Sequence, residues 1–405
     1  MTQCRNCNYD LVEFMTFGRM PIANAFIEKK NFNNEYFFEL TPTYCEKCTL
    51  FQLKYQPEPI KLFHENYAFF ANTSKYMQSH FESLTKKIID KFNINKNDLI
   101  VEIGNNDGGM VKYFKDRGFK HLGVDPSKNV SDFAKSLGVE VFNDFFNLKN
   151  AKLIRKDYGS AKVFLSANTL AHIQDINSVF EGIEYLLDDE GIFITEDPYL
   201  LDVFNKISYD QIYDEHVFIF SLNSMQNLCS QYNLEVFDVE PLNTAGGSLR
   251  YYICRKGKKS ISLNTKNTQA NEKKVNLHDN SIYSKFKENC EKSKDDLVLM
   301  LNNLINRGKK IACYGATSKT TTIFNYCDID QKQISYITDT SLTKQGKFSP
   351  GKHIPIHDYD YFLDNLPDFC FLGAWNHTAE IFNKEKNNFS VKGKWITHIP
   401  NVSVV

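Results

Sequence analysis

The chain has 405 residues, and its 48 Lys+Arg against 49 Asp+Glu leave a formal charge of −1. That length predicts about two to four compact units, and the balanced charge excludes a broad basic field for nucleic acid or an anionic membrane while leaving room for a local anion site. With 42% hydrophobic and 14% aromatic residues the chain can bury sizeable cores, yet no apolar run nears the ~20 residues that span a bilayer. The start Met1-Thr2-Gln3-Cys4 lacks the basic and apolar stretches of a secretory leader, so a cytoplasmic globular protein is expected.

Four of the ten cysteines fall in the first fifty residues, as Cys4-x2-Cys7 and, 37 residues on, Cys45-x2-Cys48. Each pair brings two thiolates within reach of one ion, and four soft sulfur ligands suit a structural zinc with no open position. A redox pair is the alternative, but redox C-x-x-C motifs open a helix in a thioredoxin-like unit, and here there are two copies. The metal is expected to supply folding energy to a segment with little core of its own. Cys229, Cys254, Cys290, Cys313, Cys327 and Cys370 sit singly, mostly in apolar runs, and are expected to act as small hydrophobes.

From Ser74 the pattern is helical through Phe92, and Leu99-Ile100-Val101-Glu102-Ile103 reads as a buried strand ending at Gly104. Strands follow over 121–124, 139–142, 161–166 and 191–196 with helices between most of them, which predicts a parallel doubly wound sheet. Two more, over 234–239 and 248–255, flank the turn Asn243-Thr244-Ala245-Gly246-Gly247 and could extend that sheet at its end. Residues 256–280 are rich in Lys, Asn, Ser and Thr and read as a solvated connector. After a helix over 282–306, strands at 310–314, 334–338 and 368–372 end in Gly315, Asp339 and Gly373, so a second, smaller α/β unit is predicted.

Glu102-x-Gly104-x-x-x-Gly108 lies between a strand and a helix, but it is not the G-x-G-x-x-G of a dinucleotide site, since position 106 is Asn. Asp125 ends the next strand, 21 positions after Gly104, where a carboxylate can accept both hydroxyls of a ribose. With Asn143-Asp144 and Ala167-Asn168-Thr169-Leu170 after later strands, these residues outline an adenosyl-binding cleft; ordinary turns and helix caps are the alternative. Farther on, Tyr213-Asp214-Glu215-His216 stands among bulky apolar residues. It can place an imidazole in a semi-apolar pocket with a carboxylate to orient it and a phenol to donate to a forming oxyanion, which suits proton abstraction next to a carbonyl. Taken alone, it reads more simply as a salt-bridged loop. Gly315-Ala316-Thr317-Ser318-Lys319 offers helix-start amides and a cation to a phosphate, or is a plain turn, and it is not a Walker A loop.

In order along the chain, the four-cysteine segment, Glu102 to Gly108 with Val124-Asp125-Pro126-Ser127, Asn168 to Ile173, Ile212 to His216, Gly246 to Arg250, Tyr314 to Lys319 and Gly373-Ala374-Trp375-Asn376 form one set. Jointly they make the chain resemble the sugar C-methyltransferases that act on nucleotide-linked 4-keto-6-deoxy sugars and place a branch methyl at C3. The resemblance implies an α/β protein with a small N-terminal zinc-binding domain, a central class I methyltransferase (Rossmann-like) domain and a second C-terminal Rossmann-like domain, here residues 1–72, 73–280 and 281–405. It implies S-adenosylmethionine held by Glu102, Gly104, Asn106, Asp107, Gly108, Asp125, Pro126, Asp144, Phe145, Asn168 and His172, and Zn2+ held by Cys4, Cys7, Cys45 and Cys48. His216 would be the base, with Tyr213 and Glu215 supporting the enolate and the imidazole. Lys319, Ser318, Asn376 and Asp214 would meet a nucleotide-linked sugar. No nucleic acid or membrane partner is expected, and the chain would be a monomer or homodimer.

Three positions depart from the family pattern: Asp214 stands where His is usual, a Tyr after the zinc domain is shifted or replaced, Tyr67-Ala68-Phe69-Phe70 offering Phe69 at the aligned place, and Asp197 replaces an apolar residue. They would fit a different sugar, a different stereochemistry or methylation of a hydroxyl. The alternatives are therefore an O-methyltransferase on the same scaffold and a noncatalytic sugar-nucleotide-binding protein.

Overall fold

The two cysteine pairs fold as near-copies of each other. In the computed structural model, which describes residues 2–62, 67, 70, 71 and 74–405, Cys4 N–H donates to the Tyr9 carbonyl (2.7 Å) and Asn8 N–H to that of Cys4 (2.9 Å). Cys45 N–H and Thr49 N–H repeat the pattern with the carbonyls of Leu50 (3.1 Å) and Cys45 (2.8 Å). The pairs lead into short strands, β1 (Leu11–Glu13), β2 (Arg19–Pro21), β3 (Phe37–Glu39), β4 (Pro42–Cys45) and β5 (Phe51–Leu53). β2 pairs with β3, and β1, β4 and β5 form an antiparallel sheet. This unit borrows its core from a distant part of the chain: the Tyr44 ring stacks on Tyr283 at 3.9 Å, and Phe14 packs on Phe51 and Tyr283.

The helix Lys75–Phe92 starts where its cap dictates, with the Ser74 hydroxyl accepting from Met77 N–H at 3.3 Å. Phe81, Leu84 and Ile88 bury its apolar stripe. The central sheet contains β6 (Leu99–Ile103), β7 (His121–Val124), β8 (Val141–Phe142), β9 (Ala161–Ala167) and β10 (Leu187–Pro198). β11 (Phe218–Ile219) leaves it, and β12 (Leu234–Leu242) and β13 (Ser248–Arg255) return. The order is β12-β13-β10-β9-β6-β7-β8, parallel through the five earlier strands, with β13 antiparallel to β10 and β12. The last two strands thus extend the sheet at its end, as their pattern predicts. The chain runs outward from β6 to β8 and then returns to β9, so β6 and β9 open a crevice at their carboxyl ends.

β11 instead pairs antiparallel with β5, Phe218 opposite Gln52 and Ile219 opposite Phe51. It completes a four-stranded N-terminal sheet in the order β1-β4-β5-β11.

The connector expected at 256–280 contains a helix, Leu263–Lys274, capped by Ser262. Its polar composition hid it, because it buries only Thr265 and Glu272. Glu272 in turn accepts from Leu222 N–H (2.6 Å), Asn223 N–H (3.0 Å) and the Tyr199 hydroxyl (2.9 Å), fixing the start of the helix Leu222–Ser230.

The long helix Asn280–Asn306 precedes the second α/β unit, with β14 (Ile311–Tyr314), β15 (Ile337–Thr338), β16 (Ile356–His357), β17 (Phe369–Leu372), β18 (Lys394–Thr397) and β19 (Ser403–Val404). The order β16-β15-β14-β17-β18-β19 puts its own crevice between β14 and β17. Among the described residues, no helix is long and apolar enough to cross a membrane.

Candidate active site

The four N-terminal thiols converge, all Sγ atoms lying within 4.8 Å of one another. Cys4 Sγ is 3.5 Å from Cys48 Sγ, and Cys7 Sγ is 3.5 Å from Cys45 Sγ. A tetrahedral zinc with ~2.3 Å bonds spaces its sulfurs about 3.8 Å apart, so the set fits a closed zinc site. The Cys45 and Cys48 thiols that bond to Cys4 draw its thiol far below the usual range. Gln52 Nε2 donates to Cys4 Sγ at 3.0 Å, the supporting contact a thiolate ligand needs.

At the crevice of the central sheet, Gly104 has φ +68, and a Cβ there would fall 2.3 Å from the Thr169 hydroxyl, so the two loops meet in direct contact. Asp125 ends β7 with each carboxylate oxygen taking one backbone amide, Asn106 N–H on Oδ2 (2.9 Å) and Ser127 N–H on Oδ1 (2.9 Å). Each oxygen retains a lone pair for a diol, and burial pushes the carboxyl up to about 6. Pro126 continues from it, and Gly108 and the buried Asp107 complete the turn below Asn106. Asp144 and Phe145 stand exposed on the rim beyond β8. Asn168 follows β9, and its buried Oδ1 accepts no hydrogen bond from any described residue. An unfilled acceptor after β9 and a carboxylate with spare lone pairs at the end of β7 suit S-adenosylmethionine. The Glu102 carboxylate accepts from Met110 N–H (3.1 Å) and Val111 N–H (2.6 Å) and so holds the start of the following helix.

The segment from Tyr209 to Ile219 is buried throughout. His216 Nδ1 lies 2.7 Å from the Gln211 carbonyl, which can only accept, so Nδ1 carries the proton and Nε2 is left with its lone pair. The Tyr213 hydroxyl donates to that Nε2 at 3.0 Å, and the Ser318 side chain lies near the phenol. Burial, the His172 ring and the Lys319 ammonium drive His216 well below its ordinary pKa, so the imidazole is neutral. His172, on the turn that follows Asn168, has its ring centroid 5.2 Å from that of His216.

The two carboxylates before His216 belong to the N-terminal unit. Asp214 Oδ1 accepts from Ala23 N–H (2.9 Å), and its carbonyl from Gln56 Nε2 (3.0 Å). Glu215 Oε1 accepts from Asn24 Nδ2 (2.6 Å) and Oε2 from the Tyr67 hydroxyl (3.1 Å). Sequence reasoning missed Ala23, Asn24, Gln56 and Tyr67 as wall residues, since only the fold brings them to positions 158 residues or more away in Gln56 and Asn24. Phe69, aligned with the family tyrosine, lies outside the described residues.

The second crevice closes the site from the other side. The helix Ser318–Tyr326 is capped by Thr317, and its first turn brings Ser318 to Tyr213 and the Lys319 charge to His216. Burial lowers the Lys319 pKa and Asp210 raises it. Trp375 Nε1 donates to Asp210 Oδ2 at 2.6 Å, and His398 Nε2 lies 3.5 Å from the same oxygen. A Cβ at Gly246 would fall 2.2 Å from the Trp375 ring, so the β12–β13 turn lies flat on it. Asn376, half-buried, follows on the same turn.

Three family models match in succession: a putative zinc binding domain over residues 4–63, a methyltransferase domain over 74–239 and a C-methyltransferase C-terminal domain over 243–400. The C-methyltransferase NovU of Streptomyces niveus is 29% identical over 406 residues, covering 100% of this chain and 96% of the relative. The chain is an S-adenosylmethionine-dependent methyltransferase. Among solved structures, the methyltransferase is similar to magnesium protoporphyrin IX methyltransferase from Synechocystis PCC 6803 with bound SAH (13% identity, 44% of this chain and 83% of that one, TM-score 0.35). It is also similar to a SAM-dependent methyltransferase from Anabaena variabilis ATCC 29413 (15% identity, 44% and 87%, TM-score 0.35).

Of the departures, Asp197 is turned inward in the methyltransferase: Oδ1 accepts from Ala171 N–H (3.1 Å) and Oδ2 from the Thr195 hydroxyl (2.7 Å). It pins the 168–172 turn. Asp214 is pushed from 3.8 up to about 8, first by burial and then by Glu215. The folded chain thus keeps a proton that the unfolded chain releases. That stabilisation is complete below about pH 4 and is lost as the pH rises toward about 8. Asp214→Asn retains an acceptor for Ala23 N–H and is expected to gain Tm over the wild type progressively between those limits, by several degrees at the upper one. A Tm difference independent of pH would refute this.

Proposed function

We propose that the methyltransferase adds a methyl group to the ring carbon beside the ketone of a nucleotide-linked 4-keto-6-deoxy sugar. The observation that carries the reading is the relay at His216: a neutral imidazole with Nδ1–H fixed on a carbonyl, a phenol resting on Nε2 and a cation next to it. Nε2 would take the proton alpha to the ketone, and the C–H electron pair would move into the enolate. The Tyr213 hydroxyl, freed from Nε2, would turn to donate to the enolate oxygen, with Lys319 balancing its charge. Bound S-adenosylmethionine supplies an electrophilic methyl on a sulfonium sulfur. Asp125 and the turns at Gly104 and Asn168 would hold that cofactor, and Ser318, Lys319 and Asn376 would align the nucleotide-sugar for in-line attack by the enolate carbon. Glu215, held by Asn24 and Tyr67, would orient the segment rather than contact the imidazole, since His216 Nδ1 is already taken by Gln211. The match to a C-methyltransferase C-terminal domain and the likeness to the C-methyltransferase NovU favour this over transfer to a hydroxyl.

Incubation with S-adenosylmethionine and a panel of nucleotide-linked 4-keto sugars, followed by NMR of the product, tests the reading. A branch methyl on carbon is expected, and a methoxy signal, or no product with any keto sugar, would overturn it. Lys319→Ala is expected to weaken nucleotide-sugar binding while leaving cofactor binding unchanged; the opposite ordering would remove Lys319 from the substrate site.

A further inference from the structure

We propose that Asn129 is a positioning residue that couples cofactor binding to Glu215, with Tyr67 as the link; the inference rests on the reading of the catalytic segment given above. Asn129 lies on the first turn of the helix Lys128–Ser136, four residues past Asp125. Its carboxamide meets the Tyr67 backbone twice: Tyr67 N–H donates to Oδ1 at 3.2 Å, and Nδ2 donates to the Tyr67 carbonyl at 2.9 Å. A paired donor and acceptor fixes a residue in both place and orientation, which a single bond does not.

The far end of Tyr67 reaches the catalytic segment, where its hydroxyl donates to Glu215 Oε2 at 3.1 Å. A second tie lies four residues on, Ala71 N–H donating to Asn106 Oδ1 at 3.1 Å. Asn106 N–H is itself the donor to Asp125 Oδ2. Both anchors of the Tyr67 segment therefore sit beside the carboxylate suited to the cofactor ribose. A ligand on Asp125 steadies the turn at Asn106 and the start of the Asn129 helix, and Tyr67 passes that order to Glu215. Such coupling is reciprocal, so loosening the link must also weaken cofactor binding.

The test uses the full-length, zinc-loaded protein and S-adenosylhomocysteine as the probe. Amide hydrogen exchange is followed in peptides covering residues 102–108 and 211–219, with and without saturating probe. In the wild type the probe is expected to slow exchange in both. In Asn129→Ala, slowing at 211–219 should disappear while that at 102–108 remains, and the Kd of the probe should rise about fivefold, the scale of losing two neutral hydrogen bonds. Tyr67→Phe should likewise lose protection at 211–219, and Asn129→Asp, which keeps only the acceptor, should fall between. Full protection at 211–219 in Asn129→Ala, or none in the wild type, would overturn the proposal. No sugar enters the measurement, so failure of the proposed reaction with every keto sugar would be read separately from failure of this coupling.

Discussion

His216→Ala is expected to abolish exchange of the substrate proton alpha to the ketone in D2O, and methyl transfer with it, while S-adenosylhomocysteine binding is unchanged. Removal of a positioned general base costs about a hundred- to ten-thousandfold, and no other described group stands on the relay in its place. His172 is the obvious substitute, its ring centroid being 5.2 Å away, but it is the His216 ring that takes the Tyr213 hydroxyl. Exchange that persists in His216→Ala and vanishes in His172→Ala would transfer the base to His172. Exchange that persists in both would discard the proton-abstraction mechanism. Tyr213→Phe supplies the complementary result: the base is retained, so slow exchange survives, but the enolate loses its donor and the rate falls by a smaller factor.

Removing the metal should be as damaging, although none of the four cysteines is in the reaction path. The N-terminal unit holds the segment around His216 at three residues, through Ala23 and Gln56 on Asp214, Asn24 and Tyr67 on Glu215, and Leu53 N–H on the Val217 carbonyl at 2.9 Å. Gln52 bears on both ends of this arrangement, its side chain on Cys4 Sγ and its backbone opposite Phe218. About one zinc per chain is expected on analysis. Cys45→Ser, or treatment with a strong chelator, should lower turnover at least about a hundredfold, since a displacement near 1 Å at the reacting groups suffices for that loss. Cofactor binding at the Asp125 side should largely remain. Full turnover in metal-free protein would show that the catalytic segment holds its place unaided.

What could be read from the sequence was what neighbouring residues decide. Ser74 announced the helix it caps, Leu99–Ile103 is apolar enough to be a buried strand in any context, and C-x2-C turns bring their own thiols together. Tyr67 on Glu215, β11 on β5 and Lys319 by His216 depend on which surfaces meet after folding, and no local pattern encodes that. Charge was the least legible property. Asp197 looked like a change in a binding site, yet its oxygens face Ala171 and Thr195. Glu102, expected at the cofactor, holds Met110 N–H and Val111 N–H on its two oxygens. A carboxylate at the end of a strand can face a ligand or cap a helix, and the residue type alone does not distinguish the two.

The exchange of β11 also sets terms for biosynthesis and for engineering. A ribosome must add 165 residues beyond Leu53 before Phe218 emerges, an interval of roughly ten to thirty seconds at ordinary elongation rates. Through that interval the thiols can capture metal while the edge of β5 stands open to pairing with other chains. The N-terminal unit is therefore not a transplantable module. Chimeras between relatives that are to stay soluble and active must exchange residues 1–62 together with 212–220, because those two stretches make one sheet.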